Sequence, residues 1–200
     1  MSEPAELSGH IRAYVARLHH AIAALDEERV EAVGEILFRA YQHGRQVFIV
    51  GNGGSAATAS HMACDLAKNT VAAHRRRFRV ISLTDNVPLL TALGNDVGYD
   101  AVFTDQLVSL IQPGDVLIAI SGSGQSENVL SAMRYSRLRS ATVVALLGMS
   151  GGEAMRLADE TILVASDHYG VIEDMHLILN HMLVDYFQSK LETLEHPPHY

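Results

Sequence analysis

Apolar residues recur at helical spacing through the first part of the chain. Leu7, Ile11, Val15, Leu18 and Ile22 form one stripe within residues 4–25. Val30, Val33, Ile36, Leu37 and Tyr41 form another over residues 27–42, so two amphipathic helices are expected before any strand. From residue 46 the pattern changes to short, nearly continuous apolar runs separated by helical segments. QVFIV (46–50), FRVISL (78–83), DVLIAI (115–120), ATVVALLG (141–148) and TILVA (161–165) read as strands. Residues 55–69, 86–94, 100–111, 126–137, 152–157 and 171–191 read as helices. Strands that are apolar at almost every position are buried on both faces, as in a parallel sheet covered by helices on either side. The pattern therefore predicts an α/β fold: an open, doubly wound, five-stranded parallel sheet flanked by helices, with two helices leading it. No internal repeat, low-complexity stretch or linker interrupts it, so residues 1–200 are expected to form a single domain. Within it, 1–43 would supply helices for packing between subunits and 44–192 the α/β core; the closing EHPPHY reads as frayed.

Composition narrows the classes open to such a fold. A chain of 200 residues, 48% apolar and 19% charged, can bury a proper core. A net charge of −8 argues against nucleic acid as partner. No apolar run approaches the roughly 18 residues of a membrane span, and MSEPAELSGHIRAYVARL has no signal-peptide core, so no membrane association is expected. Cys64 is the one cysteine, which excludes an intrachain disulfide and fits a reducing cytoplasm. The basic run His74-Arg75-Arg76-Arg77-Phe78-Arg79 reads either as a solvated loop leading into a strand or as a contact for a phosphate or an acidic partner.

In an open parallel sheet, ligands bind outside the carboxyl ends of the strands. Two turns rich in glycine and serine fall there: GNGGS (51–55) after the first strand and SGSGQS (121–126) after the third. Each opens a helix, whose free N–H groups and positive partial charge suit an anion such as a phosphate monoester. Neither spacing fits a dinucleotide fingerprint, and neither turn carries the lysine of a Walker loop. Six residues after the start of the first of these helices, His61 and Asp65 stand at i, i+4 and share a face, placing groups that move protons beside the anion site.

GNGGS, His61 with Asp65, GND at 94–96, SGSGQS, and Glu173 with His181 on the last helix together resemble the bacterial phosphoheptose (sedoheptulose 7-phosphate) isomerases of the sugar isomerase (SIS) fold. The resemblance covers nearly the whole chain. It implies conversion of sedoheptulose 7-phosphate to a heptose 7-phosphate, a homotetramer with active sites between subunits, and bound zinc. By the same resemblance, Asn52, Gly53, Gly54, Ser55, Asn95 and Asp96 would contact the phosphorylated sugar, with Asp65 and Glu173 beside it. Ser121, Gly122, Ser123 and Ser126 would hold the phosphate, and His61, Asp65, Glu173 and His181 would occupy the metal and acid/base positions. Three residues depart from the family pattern: Asp65 stands for glutamate, Glu173 for glutamine, and Gly122 for the middle hydroxyl of a serine-threonine-serine loop. The first shortens the side chain by one methylene, roughly 1.5 Å of reach.

Aldose–ketose isomerisation needs a base at carbon, an acid at oxygen and a grip on the far end of the substrate. Asp65 and His181 would divide the first two roles in either order, and a divalent cation would polarise the carbonyl. Glu173 and His181 pose a geometric question, because eight residues on a straight helix rise about 12 Å. Either the last helix starts near Glu173, leaving that residue on the entering loop, or two subunits contribute. Cys64 is expected to be a small buried residue, and Met62, Met175 and Met182 to be packing. The competing reading is a non-catalytic SIS-domain sensor of sugar phosphates, or a regulator binding a replication initiator. Retention of His61 and His181, which a sensor does not need, favours the enzyme.

Overall fold

The computed structural model describes residues 6–71 and 76–194. Two helices, α1 (Leu7–Ala23) and α2 (Glu27–Gln42), lead into β1 (Gln46–Gly51), α3 (Gly54–Lys68), β2 (Arg79–Ser82), α4 (Val87–Asp96), a 3-10 turn (Tyr99–Ala101) and α5 (Thr104–Leu110). Then follow β3 (Val116–Ser121), α6 (Glu127–Leu138), β4 (Thr142–Leu147), α7 (Ala154–Leu157), β5 (Glu160–Leu163) and α8 (Tyr169–Thr193). Helix starts follow local capping chemistry. Asp26 and Asn86 accept the backbone N–H of Arg29 and Leu89 at the heads of α2 and α4. His168 does the same for Val171, so α8 begins at Tyr169. Glu173 therefore lies inside α8 and not on a loop before it, which corrects the expected helix start.

The five strands are parallel, in the order β2-β1-β3-β4-β5. Alternation along each strand divides the core between two layers. Val47, Ile49, Val116, Ile118, Ile120, Val144 and Leu146 face α2, α3 and α8. Phe48, Val50, Leu117, Ala119, Val143, Ala145 and Leu147 face the layer built by α5, α6 and α7. Fully burying an aliphatic or aromatic side chain of this size stabilises the fold by about 1.5–3 kcal/mol, so the central strands anchor everything placed at their ends.

The leading helices do not behave alike. α2 contributes Val33, Leu37, Phe38, Ala40 and Tyr41 to the main core, so it is an integral layer of the domain. This adds a core role to a helix expected to serve packing between subunits. α1 packs on α8 through Ala21 and Leu18 yet leaves Leu7, Ile11 and Val15 exposed, at 74%, 55% and 43%. Two arginines of the basic segment are held locally. Arg76 and Arg79 donate to the carbonyls of Gln42 and Gly44 at the end of α2, where the helix dipole favours cations; His74 and Arg75 lie outside the described residues. Cys64 is exposed, not buried, and lines a cleft of about 810 Å³ with Ser60, Ile81, Asp85 and Leu89. Met62 and Met175 are core residues, but Met182 is 43% exposed. No described helix is long and apolar enough to cross a membrane.

Candidate active site

β1 lies between β2 and β3, so the chain leaves the sheet in opposite directions on either side of the β1–β3 pair. Such a switch point opens a crevice at the carboxyl ends of the strands. Gly51 ends β1, Ser121 ends β3, and the two strands are paired up to Gly51 and Ile120, which sets the two turns side by side. Their side chains lock them together. Asn52 and Asn128 exchange amide hydrogen bonds of 2.8 and 2.9 Å, and the Tyr99 hydroxyl donates to Asn52 at 3.0 Å. Asn128 and Tyr99 escaped the sequence reading, since a lone asparagine in a helix and a lone tyrosine in a loop carry no periodic signal.

The second turn is organised from within. The buried Ser121 hydroxyl accepts the backbone N–H of Gly124, and that of Ser123 accepts the N–H of Gln125. Each hydroxyl keeps its proton for another acceptor. Ser126 is the N-cap of α6 and makes no side-chain cap bond, so its hydroxyl is also uncommitted to the helix. Gly124 has φ +63° and lies against the backbone of Gly151, where a Cβ would fall 2.0 Å from the carbonyl oxygen. At Gly122 a Cβ would meet the Tyr169 ring at 3.1 Å. The space where a threonine at this position would project is thus occupied by an aromatic side chain from the head of α8.

The first turn meets α8 as well. A Cβ on Gly54, the first residue of α3, would fall 2.4 Å from the Glu173 carboxyl group. Glycine lets that carboxylate approach the positive end of α3, where an anion is favoured. Gly53 precedes it at φ +55°, and Ser55 is buried in the first turn of α3. Asn95 and Asp96 hydrogen-bond each other at the exposed end of α4; Tyr99, three residues on, makes the contact with Asn52.

Further along the α3–α8 interface, His61, Asp65 and His181 converge. The two imidazole Nε2 atoms are 3.1 Å apart, and Asp65 Oδ2 lies 3.1 Å from the first and 3.7 Å from the second. An ion bonded at about 2.0–2.1 Å in tetrahedral geometry spaces its donors by about 3.3 Å, close to all three separations. Two nitrogens and one carboxylate oxygen are a donor set suited to a borderline cation such as zinc. Both histidines are about half exposed, whereas Asp65 is buried. Asn69 donates to Asp65 Oδ1 and Asn180 to Oδ2, each at 2.9 Å. Among the described residues, this is the group able to hold a metal ion, and Glu173 is not part of it. The expected fourth ligand thus stands apart, against Gly54, because α8 is continuous from Tyr169 to Thr193 and Glu173 lies more than two turns before His181.

A further buried titratable group on α8 is His176. It lies one turn beyond Glu173, is 1% exposed, and has its Nε2 3.3 Å from the Leu147 carbonyl. Burial pushes its pKa down to about 4, only partly offset by that hydrogen bond. At the α1–α8 contact, the Tyr14 hydroxyl donates to Asp174 at 2.6 Å, which raises the phenol to about 12.

Comparison with known proteins gives the same outline. A family model described as SIS domain matches residues 10–148. The chain is 36% identical to phosphoheptose isomerase of Sulfurimonas denitrificans over 163 residues, covering 82% of this chain and 83% of that one. It is 38% identical to phosphoheptose isomerase of a Bradyrhizobium species over 186 residues, covering 90% and 93%. Phosphoheptose isomerase GmhA from Neisseria gonorrhoeae superposes with a TM-score of 0.83 at 30% identity, over 92% of this chain and 97% of that one. A phosphoheptose isomerase from Francisella tularensis superposes with a TM-score of 0.85 at 27% identity, over 94% and 100%.

Proposed function

The chain belongs to the SIS domain family, and from that premise we propose that it is a phosphoheptose isomerase, interconverting sedoheptulose 7-phosphate and D-glycero-D-manno-heptose 7-phosphate. The observation that carries this reading is the convergence of His61, Asp65 and His181 on α3 and α8, the helices whose heads meet at the two phosphate-type turns. A protein that only senses a sugar phosphate needs the turns but not the triad.

The phosphate of the substrate sits over SGSGQS, held by the protons of Ser121, Ser123 and Ser126 and by the free N–H groups at the head of α6. Asn52, Gly53, Gly54 and Ser55 bound the crevice on the other side, with Glu173 facing the head of α3 and Asn95 and Asp96 at the rim. This grip fixes the far end of the sugar and leaves the carbonyl end to the triad. A base removes a proton from C1 as the C2 carbonyl oxygen gains one, giving an enediol. The O1 hydroxyl then loses its proton as C2 gains one, giving the aldehyde. Asp65 and His181 divide these transfers, being adjacent and of the right chemistry. His61, Asp65 and His181 would hold a divalent cation, for which zinc fits the donor set best. When bound, it supplies Lewis-acid polarisation of the substrate oxygens.

The exposed apolar stripe of α1 supports a homotetramer in which α1 packs between subunits and active sites are shared across them. A lone cysteine fits a cytoplasmic setting.

The test is solvent exchange. Sedoheptulose 7-phosphate, zinc-supplied protein and deuterated water are followed by NMR. Deuterium is expected at C1 of the ketose and C2 of the product, and it is expected to vanish with His181→Ala. Unlabelled ketose, recovered from folded protein that still binds it, would overturn the isomerase reading and leave a sugar-phosphate binder.

A further inference from the structure

Resting on the isomerase reading above, we infer that Asn180, assisted by Asn69, is a positioning residue. It clamps the Asp65 carboxylate in the one orientation in which Oδ2 can act together with His61 and His181.

Asn180 is 0% exposed on α8, where the buried Leu179 and Leu183 on either side of it in sequence belong to the main core. Burying an amide there is costly unless its polar atoms are used. Its Nδ2 has one partner, Asp65 Oδ2 at 2.9 Å, and its Oδ1 meets no donor among the described residues. Packing alone would favour a leucine, which matches asparagine closely in length and leaves no orphan oxygen. The single bond it makes is therefore what distinguishes the amide from an aliphatic side chain, and that bond ends on the oxygen that faces both histidines.

The other carboxylate oxygen is held in the same way. Asn69, the C-cap of α3 one turn beyond Asp65, donates to Oδ1 at 2.9 Å. Aspartate has two side-chain torsions, and a free carboxylate could turn either oxygen, or neither, toward the histidines. With one amide on each oxygen, from two different helices, rotation breaks a charge-assisted hydrogen bond on either side. Partners of this kind, one step removed from a ligand, orient it and tune what it binds. They also tie α8 to α3 at the level of the triad, so the separation of His181 from His61 is set by the same contact.

Asn180→Leu tests the clamp with two readouts. The first is cobalt and zinc affinity by competition with a chromophoric chelator, with the visible spectrum of the cobalt form. The second is kcat and KM for sedoheptulose 7-phosphate. Expected are a 10- to 100-fold loss of metal affinity, an altered cobalt spectrum and a comparable fall in kcat. KM should change less than threefold, because the phosphate turn is untouched. Asn69→Leu, on the half-buried side of the carboxylate, is expected to show a smaller loss of the same kind, and it carries the test should Asn180→Leu not fold. Metal affinity, spectrum and kcat within threefold of the parent in whichever variant folds would overturn the clamp. If the parent protein turns over no sugar phosphate, the isomerase reading fails, while the metal titration still decides the role of Asn180.

Discussion

Acid should weaken this fold through one identified residue, His176. Its imidazole is buried between α8 and the end of β4, donating to the Leu147 carbonyl, and its pKa is held down to about 4 by desolvation. In the unfolded chain the same group titrates near its ordinary 6.5. Between these values the unfolded state binds a proton that the native state refuses, so stability rises with pH across that window. The contribution is complete above about pH 6.5 and is lost as pH falls toward 4. Two and a half units at 1.36 kcal/mol each give about 3 kcal/mol, a large part of a typical domain's stability of about 5–15 kcal/mol. His176→Gln keeps a neutral donor without a titrating ring. Urea unfolding of both proteins, at one fixed concentration because assembly shifts apparent stability, would be measured from pH 7 to pH 4. The variant is expected to be less stable at pH 7, with the gap closing by about 3 kcal/mol toward pH 4. Parallel curves for the two proteins would refute the reasoning. His176 is one turn from both Glu173 and Asn180, on the helix that meets the crevice.

Other outcomes follow from the same geometry. Ser123→Ala removes one donor to a charged group, a loss of about 1.5–3 kcal/mol, so titration calorimetry should show sugar-phosphate binding weakened roughly ten- to a hundredfold. Gly54→Ala forces a Cβ to within 2.4 Å of the Glu173 carboxyl group, so substrate affinity should fall, and pairing it with Glu173→Ala should recover part of the loss. Gly122→Thr should displace the Tyr169 ring, and in the Tyr169→Ala background the same change should cost less in a double-mutant cycle read by KM. Ile11→Glu places a charge in the exposed stripe of α1 and should shift light scattering from the proposed tetramer toward smaller species; an unchanged mass would exclude α1 from the interface.

Much of this protein is written in local patterns. The strand runs are legible because side chains buried on both faces must be apolar at successive positions, and α2 is legible from its period. The two phosphate-type turns are legible because glycine and serine are needed wherever a backbone must approach an anion. His61 and Asp65 are legible as a pair because a helix sets them one turn apart. What the sequence leaves open depends on distance through space. His181 meets His61 across 120 residues, and whether Glu173 joins them is decided by α8 starting at Tyr169. Asn180 and Asn128 sit at positions where helical periodicity asks only for something buried, and their value appears once a partner from another element arrives. α2 and α1 carry similar stripes, yet packing buries one and leaves the other open, since an amphipathic pattern records that a face seeks cover and not what covers it. Local sequence sets backbone conformation over a few residues, whereas the candidate site is made by the approach of α3, α8 and two turns, which only the packed sheet brings together.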